Sequence, residues 1–166
     1  MSLEIERKFK IEFPDIKTIS KLSYKTMLVS QTYLKTTSNT ETRRVRKSLI
    51  NGKESYCYTC KKDIDAYTRE EQEKEISYAE YKTLLSEAIT DTLDKTRYCI
   101  KYNEHILEID IFPFWKNFAI LEIENLKQHD IISLPNYIKI IEEVTEDKAF
   151  SNISIAKKLK ILKNKL

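Results

Sequence analysis

Glycine is almost missing from this chain: Gly52 is the only one in 166 residues. A single glycine excludes the Gly-rich loops with which Walker and dinucleotide-binding proteins hold phosphate on backbone amides. Any phosphate bound here must therefore be held by side chains. Cysteine is scarce as well. Cys57, Cys60 and Cys99 are an odd set, which fits free thiols in a reducing compartment better than a disulfide framework. The Cys57-x-x-Cys60 spacing suits a metal or redox pair only away from a strand, because residues three apart on a strand point to opposite faces. No apolar run approaches the ~18 residues needed to span a bilayer, and Met1-Ser2-Leu3-Glu4 has neither basic nor apolar leader character. The expectation is a cytoplasmic protein with no membrane partner. An excess of one charge is also lacking: 29 Lys+Arg against 26 Asp+Glu leave only +3, although 33% of the residues are charged. A nucleic-acid coat would carry a lopsided basic surface, so no nucleic acid is expected as a partner. His105 and His129 stand alone, without ligand-spaced neighbours.

What the chain does have is two-residue periodicity. The length suits one domain, 1–166. Strands are expected at 3–11, 29–35, 41–50, 53–62, 69–76, 94–101, 105–112 and 119–126, with Asn51-Gly52 as a hairpin signal between the third and fourth. Helices are expected at 15–24, at 77–89 behind a Ser77/Glu80 capping box, at 133–145 and at 154–163.

The charges on these strands are sorted by sign. Glu4/Glu6, Glu73/Glu75, Glu108/Asp110 and Glu122/Glu124 make acidic faces. Arg44/Arg46, Lys95/Arg97 and Thr59 with Lys61 make basic or polar ones, and the opposite faces carry Ile, Leu, Phe, Tyr or Val. An alternating strand ordinarily turns its charged face to water. Like charges two apart repel, however, so surface decoration tends to mix signs within a strand. Closing the strands into one barrel with the charges inside gives a nearly compensated lumen, and the outward apolar faces then need the helices as cover. About eight strands leave room for a ligand. The fold expected is α+β, mainly β: a closed eight-stranded antiparallel barrel flanked by amphipathic helices. Converging Arg and Lys suit an elongated polyanion, and clustered carboxylates suit Mg²⁺ or Mn²⁺. A metal-bound polyphosphate presents both needs.

Glu4-x-Glu6-x-Lys8 resembles the signature of the CYTH, or triphosphate tunnel metalloenzyme, superfamily. Arg44-x-Arg46, Thr59-x-Lys61, Glu73-x-Glu75, Lys95-x-Arg97, Glu108-x-Asp110 and Glu122-x-Glu124 follow in that family's order, and Glu143-Val144-Thr145 through Ser151-Asn152 is similar to its C-terminal segment. The resemblance implies an eight-stranded tunnel and a divalent-metal-dependent triphosphatase, with inorganic tripolyphosphate the foremost substrate. It equally covers thiamine or nucleoside triphosphatases and class IV adenylyl cyclases; a non-enzymatic polyphosphate-binding module is a further possibility. By position Glu4, Glu6, Glu122 and Glu124 are implied metal ligands, and Lys8, Arg44, Arg46, Lys61, Lys95 and Arg97 implied phosphate ligands. Glu73, Glu75, Glu108 and Asp110 are implied supporting carboxylates. Lys8, Glu6 and Glu124 stand nearest the chemistry, Lys8 as a base or acid if its surroundings lower its pKa. The aromatic run Phe112 to Phe118 lacks the glycine common before the family's last strand, and Phe150 stands where Tyr is common. Both differences fall at the tunnel mouth. The partner expected is a small-molecule triphosphate, bound by a monomer or homodimer.

Overall fold

The computed structural model describes residues 2–164 of the chain. Among these residues are nine antiparallel strands: β1 (Ser2–Glu12), β2 (Lys25–Leu34), β3 (Glu41–Ile50), β4 (Lys53–Asp63), β5 (Thr68–Glu75), β6 (Leu93–Tyr102), β7 (His105–Ile111), β8 (Phe118–Glu124) and β9 (Ile140–Glu143). The helices are α1 (Ile16–Leu22), α2 (Tyr78–Leu84) and α3 (Asn152–Asn164). The sheet runs β5-β4-β3-β2-β6-β7-β8-β1 and closes through β5 with β1, an eight-stranded barrel; β9 is a ninth strand on β1. Among the described residues no helix is long and apolar enough to cross a membrane.

Local chemistry explains most of the boundaries. Asn51 and Gly52 both take positive φ, 51° and 77°, which a two-residue hairpin between right-twisted strands requires. Asp15 caps α1 by accepting from the Thr18 backbone N–H. Ser77 and Glu80 form the reciprocal capping box of α2.

The closure between β1 and β5 is short: only Ser2 to Ile5 pair, against Glu71 to Thr68. Beyond Ile5 the same edge of β1 is taken by β9, with Phe9 opposite Glu143 and Lys10 opposite Glu142. This corrects the helix expected at 133–145. Leu134, Ile138 and Ile141 sit at helical spacing on paper, but the β-branched residues there have an unfilled strand edge to pair with, and tertiary pairing overrides a weak local preference. Arg7 fixes the result: its Nε and Nη2 donate to the two Glu143 oxygens at 2.8 Å, and its Nη1 donates to the carbonyls of Lys127 and Asp130.

Apolar packing occurs on two outer faces and inside one end. Under α1 and the 126–138 loop, Phe9, Ile11, Ile19, Ile109, Leu121 and Ile123 form the largest core. Under α2, Val45 and Leu34 pack with Ile76 and Tyr81. The third cluster lies on the inward face at the barrel end where β2 stops and β6 and β8 start: Tyr33, Leu93, Phe112 and Ile120 meet Ile155 and Ala156 of α3. The helix at 154–163 is expected, like the others, to cover an outward barrel face. It stops the lumen instead, and Leu162 is left 60% exposed. Trp115 stacks edge-on to Phe112 and close to Phe118, with Phe150 beyond, so the aromatic run is packing around this plug.

Candidate active site

The inward faces of all eight barrel strands enclose a cavity of about 810 Å³, well within the range of small-molecule sites. Register decides who meets whom. Glu6 lies opposite Glu124 and Lys8 opposite Glu122 across β1 and β8. Glu108 on β7 lies opposite Glu122, and Arg97 on β6 opposite Asp110. On the far wall Arg44 faces Thr59 on one side and Tyr33 on the other, while Lys61 faces Glu71.

Buried charges are tolerable only when paired, and one wall is densely paired. Asp110 is fully buried and accepts from Lys95 Nζ at 2.6 Å and from Arg97 Nε and Nη2 at 2.7 Å. Arg97 also donates to Glu108 and, at 2.6 Å, to Glu122, whose other oxygen lies 3.3 Å from Lys8 Nζ. Burial opposes the charge on Glu122, yet Arg97, Lys8 and Lys95 hold its carboxyl well below the usual range. Burial likewise opposes Lys8, but Glu122 and Glu6 outweigh it, against Arg69, and keep the ammonium above its ordinary value. The lowered pKa that would have made Lys8 a base is therefore absent; Lys8 is a charged donor. Lys95 moves the other way, pushed down to about 8 by burial and by Arg97. Glu108 is pushed up to about 7 by burial, with Glu122, Glu124 and Asp110 overcoming Arg97.

The opposite wall is different. Arg44 and Arg46 line the cavity on β3 and have no carboxylate partner among the described residues, and the Nε of each is buried without any hydrogen-bond acceptor. Arg44, followed by burial and Arg97, depresses Arg46 below its normal value, the mark of like charges held together. Unsatisfied buried donors of this kind call for an acceptor. A phosphate supplies several, and guanidinium forks match its geometry.

At the seam between β1 and β5 the carboxylates Glu4, Glu6 and Glu124 line one side of the cavity. Burial, then Glu4 and Glu6, raise the Glu124 carboxyl. Mutually repelling hard oxygen donors fit Mg²⁺ or Mn²⁺. Among the described residues no three such groups stand at ligand spacing, because Glu4 is held by Lys61 Nζ at 2.7 and 2.9 Å and Glu6 faces Arg69 Nη1 at 3.7 Å.

Thus the structure brings Glu4, Glu6, Lys8, Arg44, Arg46, Lys61, Glu73, Lys95, Arg97, Glu108, Glu122 and Glu124 to one cavity. Glu122 differs from the expected metal ligand in having both oxygens engaged by Lys8 and Arg97. Asp110 lies beneath the wall, behind Lys95 and Arg97. Glu75 shares the inward parity but is exposed at the end of β5, outside the cavity, which corrects its expected place in the tunnel. Glu73 accepts from Thr59 Oγ1 at 2.9 Å. Arg69 and Glu71, which also line the cavity, went unselected. Their signal was present, two and four residues before Glu73 on one strand face. Cys57 and Cys60 fall on opposite faces of β4 and are free thiols, as is Cys99.

The result is a closed barrel with a charge-sorted lumen, its inward β3 wall of Arg44 and Arg46 without carboxylate partners among the described residues and its β1–β5 corner holding three carboxylates against two cations. No sequence-family model matches the chain, and neither does any curated protein sequence. Solved structures do. The inorganic triphosphatase NE1496 is 27% identical, covering 94% of this chain and 95% of its own, with a TM-score of 0.55. A conserved hypothetical protein from Pyrococcus furiosus aligns at 20% identity over 76% of this chain and 80% of its own, TM-score 0.58. HpAC1 from Hippeastrum, an adenylyl cyclase candidate described as having a dominant triphosphatase activity, aligns at 16% identity over 74% and 80%, TM-score 0.51. In fold, the chain is similar to these proteins, an inorganic triphosphatase among them.

Proposed function

We propose that this chain is a triphosphatase that hydrolyses inorganic tripolyphosphate to pyrophosphate and phosphate with Mg²⁺ or Mn²⁺. The observation that carries the reading is the buried Arg44/Arg46 pair, whose Nε donors lack any acceptor while Lys8, Lys61, Lys95 and Arg97 all have carboxylate partners. Among the described residues Tyr33 is the only aromatic side chain that lines the cavity, and its hydroxyl accepts from Gln31. A nucleoside base would have no flat platform there, which favours an inorganic substrate. The 27% likeness to an inorganic triphosphatase supports the same choice.

Glu4, Glu6 and Glu124 would hold the metal, which when bound neutralises phosphate charge and lowers the cost of forming hydroxide from water. Arg44 and Arg46 orient the chain of phosphates by paired hydrogen bonds. Lys61 and Lys95 complete the cationic lining, with Arg97 held rigid by its three carboxylates. Lys8, kept charged by Glu122 and Glu6, donates to the phosphate oxygen on which negative charge grows as the bridging P–O bond breaks.

The test is release of phosphate, pyrophosphate and cyclic AMP from tripolyphosphate, ATP and thiamine triphosphate with either metal, alongside Glu6→Gln. Selective tripolyphosphate cleavage, lost in Glu6→Gln with an unchanged circular dichroism spectrum, is expected. Cyclic AMP from ATP would move the chain to the cyclases. Tight binding without turnover would leave a binding module, and normal activity in Glu6→Gln would sink the metal-ligand role.

A further inference from the structure

Arg69 sits at the seam where carboxylates and cations crowd together. It lines the cavity at the seam, on β5, with Glu4 opposite it on β1 and Asp63 opposite it on β4. Its Nε lies 3.1 Å from Asp63 and its Nη1 3.7 Å from Glu6, and its side chain is 31% exposed, so it is neither locked in the core nor free of the lumen. Its charge reaches Lys8, which it lowers. Lys61 does the same for Glu4 that Arg69 does for Glu6, with Glu71 4.0 Å away on its other side. Two cations thus occupy the corner where three carboxylates converge, while the arginine wall opposite lacks anions.

We infer that Arg69, together with Lys61, is a partner-exchanging latch: each leaves its carboxylate for a substrate phosphate when a divalent cation enters the corner. The inference rests on the triphosphatase reading and adds to it a positioning residue and a consequence. A cation entering alone must displace an ammonium and a guanidinium group, leaving Lys61 only Glu71 at 4.0 Å and Arg69 only the partly exposed Asp63. A polyanion entering alone finds those two groups already engaged. Entering together, each ligand supplies the partner the other displaces, so their affinities are coupled, and by linkage the coupling is the same in both directions. Couplings of this kind typically span roughly 5- to 150-fold.

The experiment is calorimetric titration of Mn²⁺, with and without the bridging-imido analogue of tripolyphosphate, into wild type, Arg69→Gln and Arg69→Lys, with matched melting temperatures as the check on folding. Chelation of Mn²⁺ by the analogue in solution is common to all three and cancels. Expected in Arg69→Gln are tighter Mn²⁺ binding without the analogue and a coupling at least about 5-fold smaller than wild type, while Arg69→Lys keeps most of the coupling. Equal coupling in wild type and Arg69→Gln overturns the latch. So does an Arg69→Gln that loses the same analogue affinity with and without Mn²⁺, which would make Arg69 an ordinary phosphate ligand. A wild type that binds no analogue at all refutes the triphosphatase reading and the latch with it, and is distinguished from failure of the latch alone by that missing binding.

Discussion

Asp110 is the carboxylate on which the inner wall depends, and removing it has a calculable effect. It is fully buried and accepts three charge-assisted hydrogen bonds, one from Lys95 and two from Arg97. In Asp110→Ala, Arg97 keeps Glu108 and Glu122, but Lys95 loses its only carboxylate among the described residues while remaining buried. Breaking a buried pair by removing one partner costs about 3–5 kcal/mol, because the remaining charge is stranded. For a domain of this size each kcal/mol corresponds to about 2–4 °C, so the melting temperature should fall by roughly 6–20 °C. Thermal and urea denaturation at neutral pH measure this. The stranded charge is the cause, so adding Lys95→Met to Asp110→Ala should recover part of the loss, since apolar replacements of buried pairs are often tolerated. A loss under about 1 kcal/mol, or a double variant no better than the single, would refute the reasoning.

Three further outcomes are expected. Arg44→Met or Arg46→Met should weaken tripolyphosphate binding by roughly 10- to 150-fold by calorimetry, the worth of a hydrogen bond to a charged group; Arg46→Met should at the same time raise the melting temperature, because Arg44 and burial disfavour its charge. Glu108→Gln should stabilise the metal-free protein at alkaline but not acid pH. The Glu108 carboxyl is raised from 4.5 to about 7 in the fold, so its cost is absent below 4.5, grows through that window and is complete above it; the gain by urea denaturation at pH 8 should be at most about 3 kcal/mol, and a gain at pH 4 would contradict the sign. Arg7→Met should release β9, seen as faster amide hydrogen exchange at 140–144 while β6 and β7 stay protected.

The strands were legible because each carries one long alternation whose two faces differ in kind, and the charged faces of β1, β3, β6 and β8 marked the lumen directly. Where the reading failed, the decisive partner was remote. Nothing near residue 140 announces that β1 has an unfilled edge more than a hundred residues earlier. Glu75 matches Glu73 in type and parity, and only the length of the barrel wall separates the lined cavity from the open rim. Arg69 is not legible in this way, because a basic residue beside acidic ones spoils the sorting by sign that exposes the other sites. That Lys8 keeps its charge follows from Glu122, a contact made by register alone.

Strand β1 is made long before the strands that fill most of its edges. Glu6 waits for Glu124, and Phe9 for Glu143, which at about 5–20 residues per second is a delay on the order of 6–25 s. For that interval the part of β1 beyond Ile5, which β5 does not reach, has open edges, and such edges invite association with other chains. Its sequence answers the hazard: Glu4, Glu6, Lys8 and Lys10 charge one face, so Glu4, Glu6 and Lys8, which later line the cavity, first serve to keep the nascent chain apart from its neighbours.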